Sequence, residues 1–217
     1  MASRDLIIKI CGLSTPATLD AALDAGADMV GFVFFAPSPR NLTFGQARDL
    51  AGRVEDRALK VALSVDADDQ MLDGIVAALA PDLLQLHGKE PPERVSAIRQ
   101  RYGLPTMKAI GVSTADDLAT VARYDRIADR ILFDAKPPKG SVLPGGNGQA
   151  FDWTILREVP PGLDWMLSGG LDAGNVAEAI RISGAMAVDV SSGVESAPGV
   201  KDSGRIRQFI AAARAAR

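Results

Sequence analysis

Short apolar runs alternate with longer, alanine-rich amphipathic segments along the chain, and this alternation constrains the fold more than any other feature. Eight strand-then-helix units fit within the 217 residues. Continuous apolar runs are typical of parallel strands that are buried on both faces. The predicted strands are 6–11, 29–35, 59–65, 83–87, 106–110, 130–134, 165–168 and 187–190. The predicted helices are 16–25, 44–53, 68–79, 93–102, 115–124, a short one near Trp153, 173–182 and 205–216.

The order of these units favours one closed α/β barrel. An open doubly wound sheet also alternates strands and helices, but eight units without a composition break or linker favour closure into a (β/α)8 TIM barrel. The length is near the lower limit, since such barrels usually need about 250 residues. Helix start signals support the units: Pro16 follows Ser14 and Thr15, and Thr114 is followed three residues later by Asp117. We predict one TIM-barrel domain over residues 1–217.

Composition excludes several classes of protein. The chain is 47% hydrophobic and 24% charged, with a formal net charge of -3, and it has no basic patch interleaved with aromatic residues. We therefore expect a small-molecule partner and neither a nucleic acid nor a membrane. Residues 1–5 are polar and lead directly into a strand, so we expect no signal peptide and a cytoplasmic location. With one cysteine and one histidine, the chain has neither an internal disulfide nor a multi-histidine metal site to offer.

Polar residues follow several of the predicted strands, where active sites of barrel enzymes lie. Cys11 ends the first strand, Arg40 follows the second, His87 ends the fourth and Asp134 ends the sixth. We expect these side chains to converge on one mouth of the barrel.

The seventh and eighth strands lead into turns of small residues, and each turn precedes a helix. Backbone N–H groups of such turns approach phosphate oxygens closely, and loops seven and eight hold phosphates in many barrels. We predict a phosphate site formed by Ser168, Gly169, Gly170, Ser191, Ser192 and Gly193.

Each of these residues also has a purely structural interpretation. A lone cysteine such as Cys11 is most often a small buried hydrophobe, and His87 is more often a packed core histidine than a catalyst. Asp134 can cap or pair with Lys136, Arg40 can be a solvated cation, and the glycines can serve turns only. The Pro- and Gly-rich stretch 136–149 is either a functional element or a tolerated insertion.

Seven motifs, taken in order, closely resemble the phosphoribosylanthranilate isomerase family over almost the full chain. The opening cysteine motif and the closing Val-Ser-Ser-Gly-Val-Glu motif are the most specific. The motifs are Lys9-Ile10-Cys11-Gly12, Gly31-Phe32-Val33-Phe34 with Ser38-Pro39-Arg40, Gln85-Leu86-His87-Gly88, Phe133-Asp134-Ala135-Lys136, Gly145-Gly146-Asn147-Gly148 with Phe151-Asp152-Trp153, Leu167-Ser168-Gly169-Gly170-Leu171, and Asp189-Val190-Ser191-Ser192-Gly193-Val194-Glu195.

The resemblance implies a TIM-barrel isomerase of tryptophan biosynthesis that needs no cofactor or metal. The implied reaction is an Amadori rearrangement of N-(5-phosphoribosyl)anthranilate to 1-(2-carboxyphenylamino)-1-deoxyribulose 5-phosphate. It further implies that Asp134 is the general acid on the furanose ring oxygen and that Cys11 is the base that removes the C2′ proton. A monomer or a homodimer is expected.

The resemblance also suggests substrate contacts. Arg40 matches an arginine that pairs with the anthranilate carboxylate, a task suited to a bidentate guanidinium. Lys9, His87 and Asp189 match positions at the site, and the role of His87 stays open. The third strand, which ends in Ser64-Val65-Asp66, departs from the Gly-Val-Phe type common in the family. The glycines of 136–149 suit a lid that excludes water.

The chemistry requires one group to start protonated and another to act as an anion. A thiol ordinarily has a pKa near 8.5, so we expect the pKa of Cys11 to be lowered by a nearby cation, with Lys9 or Lys136 as candidates. Lys9 shares the interior face of the first strand with Cys11, because side chains alternate along a strand. Asp134 must hold a proton near neutral pH, which needs burial or a nearby negative charge.

Other phosphosugar barrels remain alternatives, because a phosphate site would be shared. One is an enzyme similar to indole-glycerol-phosphate synthase, whose family relies on lysine and glutamate groups. Another is a ribulose-phosphate epimerase, but its metal-binding histidines are missing from a chain with one histidine. A third is a barrel that binds a phosphate ligand without catalysis, which the joint presence of Cys11 and Asp134 argues against.

Overall fold

The structure is a computed structural model that describes residues 6–137, 140–141, 143–146 and 148–216. Eight parallel strands pair in chain order and close between the first and the eighth. The predicted α/β TIM-barrel fold is therefore confirmed. The barrel strands are β1 Ile7–Cys11, β2 Met29–Phe34, β3 Leu59–Ser64, β4 Leu83–Leu86, β5 Thr106–Val112, β6 Arg130–Ala135, β7 Trp165–Leu167 and β8 Ala187–Val190.

Helices cover the outside of the barrel, mostly where the sequence predicts them. Thr15 accepts a hydrogen bond from the Thr18 amide at the start of the first helix, and Pro16 occupies its first turn. The expected capping box of Thr114 and Asp117 is present. The α-helices are α1 Pro16–Asp24, α2 Phe44–Val54, α3 Asp69–Leu79, α4 Pro92–Tyr102, α5 Val176–Ser183 and α6 Ser203–Ala215. None of the helices in the described ranges is both long and apolar enough to cross a membrane.

Two of the predicted helices are 3₁₀ helices. The predicted helix 115–124 is observed as Ala115–Arg123, and the short helix predicted near Trp153 is observed as Trp153–Glu158. The first contains two aspartates and a Thr120-Val121 pair, residues with low α-helical propensity. Helix α5 begins at Val176 rather than 173, because the Asp172 carboxylate accepts from the amides of Gly174 and Asn175 and holds a turn there.

A small antiparallel hairpin after β8 is absent from the prediction. Its strands are β9 Glu195–Ala197 and β10 Val200–Lys201, joined at Pro198-Gly199. Gly199 has φ of +80° and supplies the left-handed conformation of the turn. The hairpin places Glu195 and Lys201, both buried, beside the mouth of the barrel.

The barrel interior changes character from its N-terminal to its C-terminal end. The lower layer is apolar and consists of Met29, Val61, Leu83, Met107, Leu132, Met166 and Ala187. One step further along the strands, polar side chains point inward. Lys9 and Gln85 are fully buried there, and Asp189 and Ser168 are nearly so. Because side chains of one face recur every second residue, the step from Ile7 to Lys9 to Cys11 runs from the apolar layer to the mouth.

Candidate active site

A cleft at the C-terminal end of the strands encloses about 770 Å³ of empty space, part of it open to solvent. That size is typical of a site for a small molecule. Most of the predicted site residues line it, namely Cys11, Arg40, His87, Asp134, Ser168, Gly169, Gly170, Asp189, Ser191 and Ser192. Two predicted residues do not line it. Lys9 lies in the buried layer beneath, and Gly193 packs behind the mouth, where a Cβ would collide with the Leu171 carbonyl.

Cys11 lies above a buried ion pair. Its side chain is 3% exposed, and Gly31 on the neighbouring strand leaves room for the sulfur, since a Cβ there would lie 2.9 Å from Sγ. Lys9 Nζ is 2.9 Å from Asp189 Oδ1, and both side chains are buried. Burial opposes the charge of Lys9, but Asp189 and Cys11 outweigh it and raise the pKa of Lys9 above its ordinary value. A permanent cation therefore lies beside the thiol.

The expected lowering of the Cys11 pKa is wrong. Burial raises the pKa of the thiol and the Asp189 charge raises it further, while Lys9 and Lys201 only partly compensate. Lys136 does not take the role of the cation, because its ammonium pairs with Asp117 and its side chain is 47% exposed. The thiol thus keeps its proton at neutral pH.

A second buried ion cluster fixes Arg40. The guanidinium donates from Nε and Nη2 to the two carboxylate oxygens of Glu195, at 2.7 and 2.9 Å. Lys201 Nζ donates to the same carboxylate at 2.8 Å and to the Ser191 carbonyl at 2.9 Å. Although burial works against its charge, Arg40 and Lys201 hold the pKa of Glu195 below its ordinary value.

This cluster changes the expected role of Arg40. The bidentate edge predicted for an anthranilate carboxylate already holds Glu195, so a ligand would meet the remaining edge, where Nη1 lies against Gly146. Sequence reasoning assigned no role to Glu195 or Lys201. The position of Glu195 at the end of the last motif is the one sequence feature that points to it. Its partner Lys201 lies on a hairpin that the sequence does not predict.

Asp134 contacts a backbone amide and an imidazole. Its Oδ1 accepts from the Ala135 amide at 2.9 Å, and its Oδ2 lies 3.2 Å from His87 Nε2. His87 Nδ1 lies in turn 2.9 Å from Gln85 Nε2. The sequence placed His87 at the site without a role, and the structure makes it a neighbour of Asp134. Gln85 belongs to the same motif as His87, and the sequence gives it no role.

The loop that carries His87 is anchored from behind. Lys108 Nζ donates to the carbonyls of Leu86 and Gly88, at 3.1 and 2.7 Å, and to Glu90 Oε2 at 2.9 Å. The Gly88 amide donates back to the Glu90 carboxylate. Both charged side chains are buried, so the backbone on either side of His87 is fixed by one ion pair.

The glycines of loops seven and eight are required by close packing. Gly169 and Gly170 have φ of +88° and +65°, and a Cβ would meet Ala135 at the first and the 149–150 backbone at the second. Ser168 differs from the phosphate prediction, because its hydroxyl donates to Asp189 at 3.2 Å and its amide to the Phe133 carbonyl at 2.7 Å. Its donors are thus engaged inside the barrel, while Ser191 and Ser192 line the cleft.

Described residues of the stretch 136–149 roof the cleft. Leu143, Pro144, Gly145, Gly146, Gly148 and Gln149 line it. A Cβ on Gly145 would collide with the Asp134 carboxylate and the His87 imidazole, so the backbone lies directly on these two side chains. Residues 138, 139, 142 and 147 lie outside the described residues. No group of three or more His, Cys, Asp or Glu side chains suited to a metal ion occurs among the residues placed by the structure.

Comparison with known proteins agrees with this geometry. Residues 8–212 match the family described as N-(5'phosphoribosyl)anthranilate (PRA) isomerase. N-(5'-phosphoribosyl)anthranilate isomerase of Nitrobacter winogradskyi is 63% identical over 211 residues, which are 97% of this chain and 94% of that protein.

Solved structures give the same result. Phosphoribosyl anthranilate isomerase from Thermotoga maritima superposes with a TM-score of 0.87 at 34% identity, covering 97% of this chain and 99% of that one. A phosphoribosyl anthranilate isomerase in complex with reduced 1-(o-carboxyphenylamino)-1-deoxyribulose 5-phosphate superposes with a TM-score of 0.84 at 31% identity, with the same coverage of both chains.

Proposed function

This chain belongs to the N-(5'-phosphoribosyl)anthranilate isomerase family, and we propose that Cys11 is the base and Asp134 the acid of the isomerisation it catalyses in tryptophan biosynthesis. The single observation that carries the assignment is the placement of these two groups. The only thiol of the chain and a buried carboxyl line the same roofed cleft, on strands β1 and β6. Family membership decides against the alternatives of an indole-glycerol-phosphate synthase, an epimerase and a non-catalytic barrel.

The reaction needs two proton transfers on one sugar. Asp134 donates its proton to the furanose ring oxygen while the anilino nitrogen lone pair forms a C1′=N bond, so that the C1′–O bond breaks and a Schiff base results. The thiolate fraction of Cys11 then removes the proton from C2′, which leaves an enolamine with its hydroxyl on C2′. The enolamine gains a proton at C1′ and loses the 2′-hydroxyl proton to become the 2′-ketone. The proton that Cys11 takes up balances the one that Asp134 gives to the ring oxygen, so the aldose is isomerised to a ketose with no net change in atoms.

The ends of the substrate fit two parts of the cleft. Backbone amides of Gly169, Gly170 and Ser192, together with the Ser191 and Ser192 hydroxyls, are suited to the phosphate. Arg40, held by Glu195, is suited to the anthranilate carboxylate through its outer edge. Asp189 and Lys9 support the site from beneath Cys11. A single domain, a cytoplasmic location, a monomer or homodimer and a reaction without cofactor remain part of the proposal.

The test is the loss of phosphoribosylanthranilate fluorescence, measured with three variants. We expect Cys11→Ala and Asp134→Asn each to lower kcat by at least about 10³-fold, since each removes a required proton transfer. Asp125→Asn is the matched control for the second, because Asp125 is an exposed aspartate whose side chain is 64% accessible. Product analogue binding and thermal unfolding show whether the fold is intact. Near-normal turnover in either active-site variant refutes its assigned role.

A further inference from the structure

Gln85 is a buried polar side chain that the proposed reaction does not use. It points into the barrel from β4, is fully buried, and its Oε1 has no hydrogen-bond partner within the described part of the chain. A buried unpaired carbonyl costs stability, and a leucine or methionine would fill the same position without that cost. Toward the residues that the structure describes, the side chain makes one hydrogen bond, from Nε2 to His87 Nδ1 at 2.9 Å.

The orientation of this amide decides which nitrogen of His87 carries the proton. An amide N–H₂ group only donates, so Nδ1 accepts from Gln85 and the imidazole proton is on Nε2. If the amide were rotated, its N–H₂ group would occupy the unpartnered position. Orphaned buried N–H groups are rarer in proteins than under-satisfied carbonyls, so the orientation in the structure is the favoured one.

The Nε2 proton faces Asp134. Nε2 lies 3.2 Å from Oδ2, and a carboxylate accepts hydrogen bonds but cannot donate them. An Nε2–H group therefore becomes a donor to Asp134 when the acid has given its proton to the sugar. The other tautomer would present a lone pair to the new carboxylate and repel it.

We propose that Gln85 is a positioning residue that holds His87 as the Nε2–H tautomer, so that His87 stabilises the carboxylate formed when Asp134 donates its proton. This inference rests on the proposed role of Asp134. Gln85 acts through His87 and lies beneath it, so its effect is on the proton-transfer step rather than on substrate binding.

The first test is direct, because His87 is the only histidine of the chain. Long-range ¹H–¹⁵N NMR spectra of the tag-free, ¹⁵N-labelled protein contain one imidazole, and they distinguish the two tautomers. We expect the Nε2–H pattern in the wild type and loss of its dominance in Gln85→Met. An Nδ1–H pattern in the wild type, or an unchanged Nε2–H pattern in Gln85→Met, overturns the proposal.

The second test separates positioning from a structural role. We expect Gln85→Met to lower kcat roughly 10-fold, less than loss of the acid itself, with KM changed less than about 2-fold. Thermal stability should be equal or higher, since the variant removes an unpaired buried carbonyl. Gln100→Met, on the exposed face of α4, is the matched control. A KM effect without a kcat effect refutes the proposal, whereas activity that survives Asp134→Asn refutes the proposed function and leaves the tautomer result standing.

Discussion

The two halves of the cleft are built from different chemistry. Around Cys11 the supports are buried ions, with Lys9 paired to Asp189 and Arg40 and Lys201 paired to Glu195. Asp134 instead lies beside the His87 imidazole, which in turn contacts the Gln85 amide. Cations favour loss of a proton from a thiol, whereas a cation beside Asp134 would favour loss of the proton that it must donate. The buried cations therefore offset part of the rise that burial imposes on the Cys11 pKa. Among the described residues, the groups hydrogen-bonded to Asp134 include no lysine or arginine.

Removing Lys9 should have the largest effect on this contrast. Lys9→Met leaves the Asp189 carboxylate buried without its partner, which costs about 3–5 kcal/mol of the free energy of unfolding. We expect kcat/KM to fall by about 10²-fold or more, because Cys11 loses its adjacent cation. Chemical denaturation and the fluorescence assay measure the two effects.

The double variant and a control separate the two effects of Lys9. Lys9→Met/Asp189→Asn should recover much of the stability but not the activity. Lys60→Met, which breaks the partly exposed pair with Asp82, should cost less than about 1 kcal/mol. Recovery of full activity in the double variant would contradict the role of Lys9 as the cation of Cys11.

Glu195→Gln tests the other ion cluster on the Cys11 side. A neutral amide has one acceptor oxygen, so it cannot accept from both Nε and Nη2 of Arg40 as the two carboxylate oxygens do, and the guanidinium loses its fixed orientation. We expect KM to rise about 10-fold, with a smaller change in kcat, as measured by steady-state kinetics. Glu178→Gln, at an exposed surface pair with Arg181, should leave both constants unchanged. An unaltered KM for Glu195→Gln would show that Arg40 does not need this support.

The dependence on pH should reflect the Cys11 side. Because the pKa of the thiol is raised above its ordinary value, the thiolate fraction grows as pH increases from neutral into the alkaline range. We expect kcat/KM to rise with pH over the same window. Linkage gives the sign for stability: the folded thiol holds its proton more tightly, so its contribution is present below the unfolded pKa of about 8.5 and is lost at higher pH. A flat kcat/KM from neutral to alkaline pH would contradict the assignment of the base.

Lys136 should matter least of the lysines near the cleft. Its partner is Asp117, whose pKa falls to about 2. Burial would raise that pKa, but hydrogen bonds from Lys136 and from the backbone amides of Ser113 and Thr114 outweigh the effect of burial. An exposed pair of this kind is worth about 0.5 kcal/mol. We expect Lys136→Met to change kcat/KM less than about 2-fold. A larger loss of kcat/KM in the fluorescence assay would indicate that Lys136 acts as a cation on Cys11.

The sequence predicts the barrel because its apolar runs are continuous. Each predicted strand overlaps an observed one, since burial on both faces leaves the runs clear in the chain. The positions of Cys11, His87 and Asp134 at strand ends follow from the same pattern. The first residues of helices are less well predicted. Local turns, such as the one that Asp172 holds before α5, compete with helix formation there.

The partners of the site residues could not be predicted in the same way. Glu195 and Arg40 are 155 residues apart, and Lys9 and Asp189 are 180 apart. The sequence offered Lys9 and Lys136 as the cation beside Cys11. Lys9 lies there, whereas Lys136 pairs with Asp117. The choice between them depends on how the strands close into the barrel. The raised pKa of Cys11 was missed because a sequence shows nearby charges but not the extent of burial.

The contrast between the halves is tested most directly by titrating Cys11, the only cysteine of the chain. Ultraviolet absorbance of the thiolate against pH is measured in the wild type and in Lys9→Met/Asp189→Asn, where the buried charge is removed as a pair. Lys9 lowers the Cys11 pKa more than Asp189 raises it, so the thiol of the double variant should titrate at a higher pH than that of the wild type. An equal or lower titration midpoint in the double variant would contradict the claim that buried cations adjust this side of the cleft for a base.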